Sequence, residues 1–115
     1  MKYSDKQRLE KIADYCEKLL DFLSEKHITR QILMDDYTVQ WAVTTPLYNI
    51  GEHVYLLSDD FKHEHSEIPW SMISGLRHRL VHNYEGTNWS IIVEVVFDEL
   101  PTFAQNVTLL LSHLT

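Results

Sequence analysis

The sequence predicts an all-α protein, an up-and-down bundle of four or five helices, and three observations carry that expectation. The chain has 115 residues with only three Gly and three Pro, too few turn formers for a small all-β fold. Apolar residues recur at three- and four-residue spacing over long stretches, the period of a helix face. The polar breaks between those stretches are short, which places consecutive helices side by side. The length fits one domain over residues 1–115, built on one core. Hydrophobic residues make up 44% and charged residues 23%, a balance that excludes intrinsic disorder.

The first helix is expected from about Asp5 to Lys26. Ser4 with Gln7 forms a capping-box pattern, and Leu9, Ile12, Cys16, Leu19, Leu20 and Leu23 make one apolar stripe. ITRQILM, residues 28–34, reads as a short apolar connection of about one helical turn. The second long helix runs from about Asp36 to Leu57, capped by Asp35 or Asp36, with Pro46 in its middle as a source of a kink. Gly51 on that helix reads as a point of close packing against a neighbouring helix. SDDFKHEHSE, residues 58–67, is polar and reads as a loop. Pro69 suits the first turn of a third helix, IPWSMISGLRHRLVHNY, which Gly86 ends. A fourth helix starts near Asn88 or Ser90 and runs through IIVEVVFDEL; Pro101 separates it from a last helix over about Thr102 to His113.

Charge narrows the function. The net charge is −7, and residues 31–115 hold three basic against eleven acidic side chains. A general nucleic-acid binder carries a basic face; here contact with a polyanion has to be local, or assembled from more than one chain. The lone cysteine, Cys16, precludes a disulfide within the chain and reads as a small buried apolar side chain. The N-terminus lacks a signal-peptide core, and no apolar run reaches the length of a membrane span. The expected location is the cytoplasm, with no membrane association.

Two of the three basic residues after position 30 fall in one stretch, RHRLVHNYEG, residues 77–86. Leu76, Leu80 and Val81 can hold this helix on the core, leaving Arg77, His78, Arg79, His82 and Tyr84 as its polar remainder. A basic helix end interacts well with the helix dipole, but that leaves two His and a Tyr unaccounted for. His78 and His82 have the i, i+4 spacing of a zinc pair; the sequence fixes no third ligand, Arg77 and Arg79 would repel a cation, and no metal or cofactor is called for. Metal-free RNA cleavage is the third possibility. A ribose 2′-hydroxyl attacking its adjacent phosphate needs a base, an acid and a cation. Histidine serves the first two near neutral pH, and the arginine fork matches phosphate oxygens. Five residues separate Arg77 from His82, about 140° around a helix, so a site built across two chains fits better than one on a single face.

The pattern Arg77-x-x-x-x-His82-x-Tyr84 resembles the R-x4-H-x-Y signature of the HEPN superfamily, specifically its HepT-like toxins. IGEHVYLLSDDF, EIPWSMISGLRHRLVHNYEG and IIVEVVFDELP are similar to successive blocks of that family, over roughly residues 35–101. The resemblance implies a HEPN-like helical homodimer with the two motifs lining a cleft at its interface. It implies a metal-independent endoribonuclease toxin acting on RNA such as tRNA or mRNA, with Arg77 and His82 catalytic and His78 and Arg79 supporting. It further implies an MNT-type nucleotidyltransferase antitoxin as partner, which silences the toxin by transferring AMP to Tyr84. His78 stands where the family often has Asn or Asp.

Two other readings remain open at this stage. The chain could be a non-catalytic binding module that partners a nucleotidyltransferase and holds nucleotide or substrate for it, which suits the acidic balance. It could also be a plain dimeric scaffold. Among the remaining polar and aromatic residues, Trp41, Trp70 and Trp89 read as core or interface anchors, His63 and His65 as part of a solvated loop, Glu52 and His53 as cleft-facing without a catalytic part, and Asp98 with Glu99 as a surface pair at a helix end.

Overall fold

Why the chain folds as it does begins with its caps. In the computed structural model, which describes residues 3–81 and 86–114, helix α1 spans Asp5–Glu25. The capping box is formed in full: the Ser4 hydroxyl accepts from the Gln7 N–H at 3.1 Å, and the Ser4 N–H donates to Gln7 Oε1 at 2.9 Å. The helix ends in a Schellman turn, with the Ile28 N–H bonded to the Leu23 carbonyl at 2.9 Å and His27 in the left-handed region at φ 53°. Helix α2, Arg30–Asp35, is the helical turn expected in the apolar connection, capped by Thr29. Helix α3, Tyr37–Tyr55, takes Asp36 as its cap and runs through Pro46. The fully buried Val43 and Leu47 hold it to the core on either side of the proline.

Two expectations about chain breaks fail. Residues 58–67 are not simply a loop: Ser58 caps a short helix α4, Asp59–Glu64. The cap oxygen, with Asp59 and Asp60 in the first turn, makes this polar stretch a good helix start. Pro101 also fails to separate two helices. Helix α6, Trp89–Glu94, with Asn88 as cap, passes into a π-turn at Val95–Glu99 and on into α7, Leu100–Leu114. The Leu100 N–H reaches the Val95 carbonyl, five residues back. A wider turn ahead of Pro101 relieves the contact its ring would make one turn earlier, so the chain stays helical through it. Helix α5, Trp70–Val81, starts one residue after Pro69.

The four long helices make the bundle. Helix α1 packs on both α3 and α7, and α3 packs most extensively on α5. The buried stripe of α1 (Leu9, Ile12, Cys16, Leu19, Leu23) meets Val43, Leu47, Ile50 and Val54 of α3 in one core with Ile73 and Leu76 of α5 and Phe103 and Val107 of α7. Trp70 packs edge-on against Phe103, ring centres 5.9 Å apart, linking α5 to α7. Asp5, at the start of α1, accepts from the N–H and hydroxyl of Ser58, just past the end of α3, at 2.8 and 2.7 Å. Helices α1 and α3 are therefore antiparallel. Among the described residues no helix is long and apolar enough to cross a membrane.

Candidate active site

Helix α5 presents the motif because its other side is spent on the core. Trp70, Ile73, Leu76 and Leu80 are buried, recurring at the three- and four-residue spacing that fixes the helix rotation. Arg77 then falls at the edge of the α3 contact, half-buried, while His78 and Arg79 face outward and are exposed. His82 and Tyr84 lie outside the described residues.

Gly51 sets the distance between the two helices. A Cβ there would stand 2.9 Å from the Arg77 backbone nitrogen and 3.1 Å from the Ile73 carbonyl oxygen. Only glycine permits that approach. The expected close packing is therefore present, and the neighbour is the motif helix itself. Glu52 and Tyr55 fan out on the same side of α3, three residues apart. The Arg77 guanidinium carbon lies 3.7 Å from the centre of the Tyr55 ring, a close cation–π contact. Nη1 of Arg77 is 3.9 Å from Glu52 Oε2. That ion pair is too long for a hydrogen bond. The guanidinium is thus held on one face by the ring and drawn by one carboxylate, and among the described residues no carboxylate hydrogen-bonds to it. Lys62 of α4 comes to the same ring, its Nζ 5.9 Å from the Tyr55 centre and hydrogen-bonded to the Tyr55 carbonyl at 3.1 Å.

A second polar group lies on the α1 side of α3. The Arg8 guanidinium donates to Nδ1 of His53 at 3.2 Å; arginine has no acceptor, so His53 is neutral there, with its proton on Nε2. Burial first, then the charges of Arg8 and Lys11, hold the His53 pKa below the ordinary imidazole value, against a smaller upward pull from Glu52. Tyr3 packs edge-on against His53, ring centres 5.9 Å apart, and its ring also faces Arg8 and Lys11. The field of Glu52 therefore reaches both Arg77 and His53, and makes one polar band across α1, α3 and α5.

The other residues singled out by sequence divide. Trp70 is buried with its indole N–H on the His65 carbonyl at 3.0 Å, Trp89 packs against the core, and Trp41 is exposed. Asp98 is exposed, as expected of a surface residue, and Glu99 is half-buried. The two Asp98 carboxylate oxygens accept from the Arg30 guanidinium, which holds the Asp98 pKa below the usual range and ties α2 to the π-turn. Among the described residues no three His, Cys, Asp or Glu side chains converge to hold a metal ion. Sequence reasoning missed Tyr55, counted as an apolar position, and Arg8, lost among the seven basic residues of the first thirty. The signal for Tyr55 was its place four residues after Gly51, on the side of α3 that meets the motif helix.

The motif arginine on α5 is thus set against the preceding long helix by a glycine and an aromatic ring. The sequence profile of the ribonuclease HepT-like family matches residues 12–110. The chain belongs to the ribonuclease HepT-like family. A relative in Caldanaerobacter subterraneus that bears the name of an RNase is 35% identical over 99 residues, covering 86% of this chain and 87% of its own. A relative in Thermococcus cleftensis named as a ribonuclease HepT is 34% identical over 106 residues, 89% of this chain and 91% of its own. A third, in Methanocaldococcus jannaschii and also named as an RNase, is 32% identical over 90 residues, 78% and 73% of the two chains. No solved structure gives a significant match. This HepT-like chain is all-helical over its described elements, as the motif's resemblance implied.

Proposed function

We propose that this chain is a metal-independent endoribonuclease, the toxin of a type II toxin–antitoxin pair, working as a homodimer with Arg77 and His82 as its catalytic residues. The observation that carries the reading is Arg77: a half-buried arginine in an acidic HepT-like chain, stacked on Tyr55 at 3.7 Å and, among the described residues, hydrogen-bonded to no carboxylate. Such a guanidinium is oriented before the substrate arrives, and its donors remain available for two phosphate oxygens.

In the reaction, a ribose 2′-oxygen attacks the adjacent phosphorus and the bond to the 5′-oxygen breaks. One copy of His82 takes the proton from the 2′-hydroxyl. The second copy in the dimer gives a proton to the departing 5′-oxygen. Arg77 stabilises the charge that builds on the phosphoryl oxygens, with His78 and Arg79 supporting on the exposed side of the same helix. The products are a 2′,3′-cyclic phosphate and a 5′-hydroxyl. An MNT-type nucleotidyltransferase antitoxin silences the site by moving AMP from ATP to the Tyr84 hydroxyl, releasing pyrophosphate. The added bulk and negative charge, two residues from His82, block the cleft and repel RNA.

Expression in a bacterial host tests the reading. The wild type arrests growth, His82→Ala does not, and co-expression of a cognate nucleotidyltransferase restores growth while adding one AMP mass at Tyr84. Arrest that persists in His82→Ala removes the proposal. The net charge of −7 favours a second reading, a non-catalytic module that holds substrate for the nucleotidyltransferase; it predicts no arrest by the chain alone.

A further inference from the structure

We infer that Arg8 and His53 form a second anion-binding subsite beside Arg77, one that takes a neighbouring backbone phosphate of the bound RNA strand. The inference rests on the ribonuclease reading above and extends its site onto α1.

Arg8 is a half-buried cation whose hydrogen-bond partner is not a carboxylate but a neutral imidazole, His53 Nδ1 at 3.2 Å. Among the described residues no carboxylate pairs with it within 4.0 Å. Its charge is met instead by the face of the Tyr3 ring, 5.5 Å from the guanidinium carbon, a ring that Lys11 shares at 5.6 Å. Arg30 and Lys18 differ: each is engaged by an aspartate, Asp98 and Asp14 respectively. An arginine turned toward a histidine and a tyrosine keeps most of its five donors for an incoming anion. His53 adds a donor of its own, the Nε2–H left by the tautomer that Arg8 imposes.

The location gives the ligand its class. His53 and Glu52 are consecutive on α3, and the Glu52 carboxylate lies 3.9 Å from Arg77. Two guanidinium groups therefore reach adjacent residues of α3 from opposite neighbours, Arg8 of α1 at His53 and Arg77 of α5 at Glu52. A polyanion with regularly spaced charges can engage both at once, whereas a lone phosphate can engage one. Aromatic rings stand beside each cation, Tyr3 at Arg8 and Tyr55 at Arg77, the combination of phosphate donors and stacking surfaces that single strands use. In a chain this acidic, two such points are what hold RNA against the general repulsion.

The test is fluorescence anisotropy of a labelled single-stranded RNA carrying 2′-O-methyl riboses, which binds but cannot be cut. Binding is measured over a range of salt concentrations for wild type, Arg8→Gln, Arg8→Lys, His53→Gln, Arg77→Gln and the control Lys18→Gln, with circular dichroism confirming the fold of each. Arg8→Gln is expected to bind about three- to tenfold more weakly and to lower the slope of log K against log salt by about 0.7, one phosphate contact. Arg8→Lys recovers the slope, His53→Gln weakens binding less than Arg8→Gln, and Lys18→Gln changes nothing. Wild type binding with Arg77→Gln impaired but Arg8→Gln unchanged overturns the subsite and leaves the ribonuclease reading standing. No RNA binding by the wild type overturns both.

Discussion

Replacing Gly51 by Ala strikes a close approach between two helices, next to the motif arginine. The new Cβ would meet the Arg77 nitrogen at 2.9 Å, the Ile73 oxygen at 3.1 Å and the Arg77 Cβ at 3.3 Å. Carbon contacts settle at about 3.5–4.0 Å, so α3 and α5 have to part by roughly half an ångström. The two nearest atoms are backbone and cannot rotate away. Both helices are pinned by fully buried side chains, Leu47 and Ile50 on one, Ile73 and Leu76 on the other. Overpacking of this kind costs about 1–3 kcal/mol, offset by up to about 1 kcal/mol of helix propensity that Ala gains over Gly. Subtracting that gain leaves a net loss of up to about 2 kcal/mol, or up to roughly 8 °C in Tm. Gly75, on α5, has nothing within 4 Å of an added Cβ. Gly75→Ala keeps only the propensity gain and raises Tm by about 2–4 °C. Thermal unfolding followed by circular dichroism reads both. RNA cleavage well below either Tm adds a second reading, because the backbone that Gly51→Ala displaces carries Arg77. That variant loses activity while still folded; Gly75→Ala does not. A Gly51→Ala protein that melts at or above the wild type, or two variants that shift in the same direction, would refute the packing account.

Three further outcomes are expected. Tyr55→Phe keeps the ring under Arg77 and cleaves RNA like wild type, whereas Tyr55→Leu removes the platform and lowers kcat/KM about fivefold, the worth of one partly exposed cation–π contact. His53 is held below 6.5 in the folded chain by burial, Arg8 and Lys11, so the unfolded chain takes up its proton first as pH falls. Stability is full above about pH 6.5 and declines toward the depressed folded value; urea midpoints of wild type drop more between about pH 7.5 and about pH 5 than those of His53→Gln. Burial pushes the Cys16 thiol up to about 12, so a thiol reagent at about pH 8 labels the chain only in denaturant, and labelling of the native protein would contradict the packing of α1.

The helices were legible where local chemistry and core demand coincide. Ser4 with Gln7, and the stripe from Leu9 to Leu23, are satisfied within α1 itself. The two misread breaks share a cause. Polarity in residues 58–67 suggests a loop, although Ser58 followed by acidic residues is a helix start whose side chains face water. Pro101 suggests a separation, although the π-turn over Val95–Glu99, with Val95, Val96 and Leu100 seated in the core, makes room for it. At the candidate site Arg77 was legible from the motif, and Gly51 from its place in a helix interior. Tyr55 and Arg8 were not, because their parts depend on which helices cross and where. No spacing within one helix carries that information, and an exposed tyrosine or a first-helix arginine has an ordinary surface use.

The central claim is metal-free cleavage by Arg77 and His82, and purified protein incubated with RNA in excess EDTA tests it most directly. Wild type is compared with folded Arg77→Ala and His82→Ala variants, and the product ends are analysed. The account predicts cleavage by wild type, at least a hundredfold loss in each variant, the size of a lost acid–base or oxyanion contribution, and ends bearing 2′,3′-cyclic phosphate and 5′-hydroxyl. Equal cleavage by the variants, or intact RNA in every lane, would contradict it.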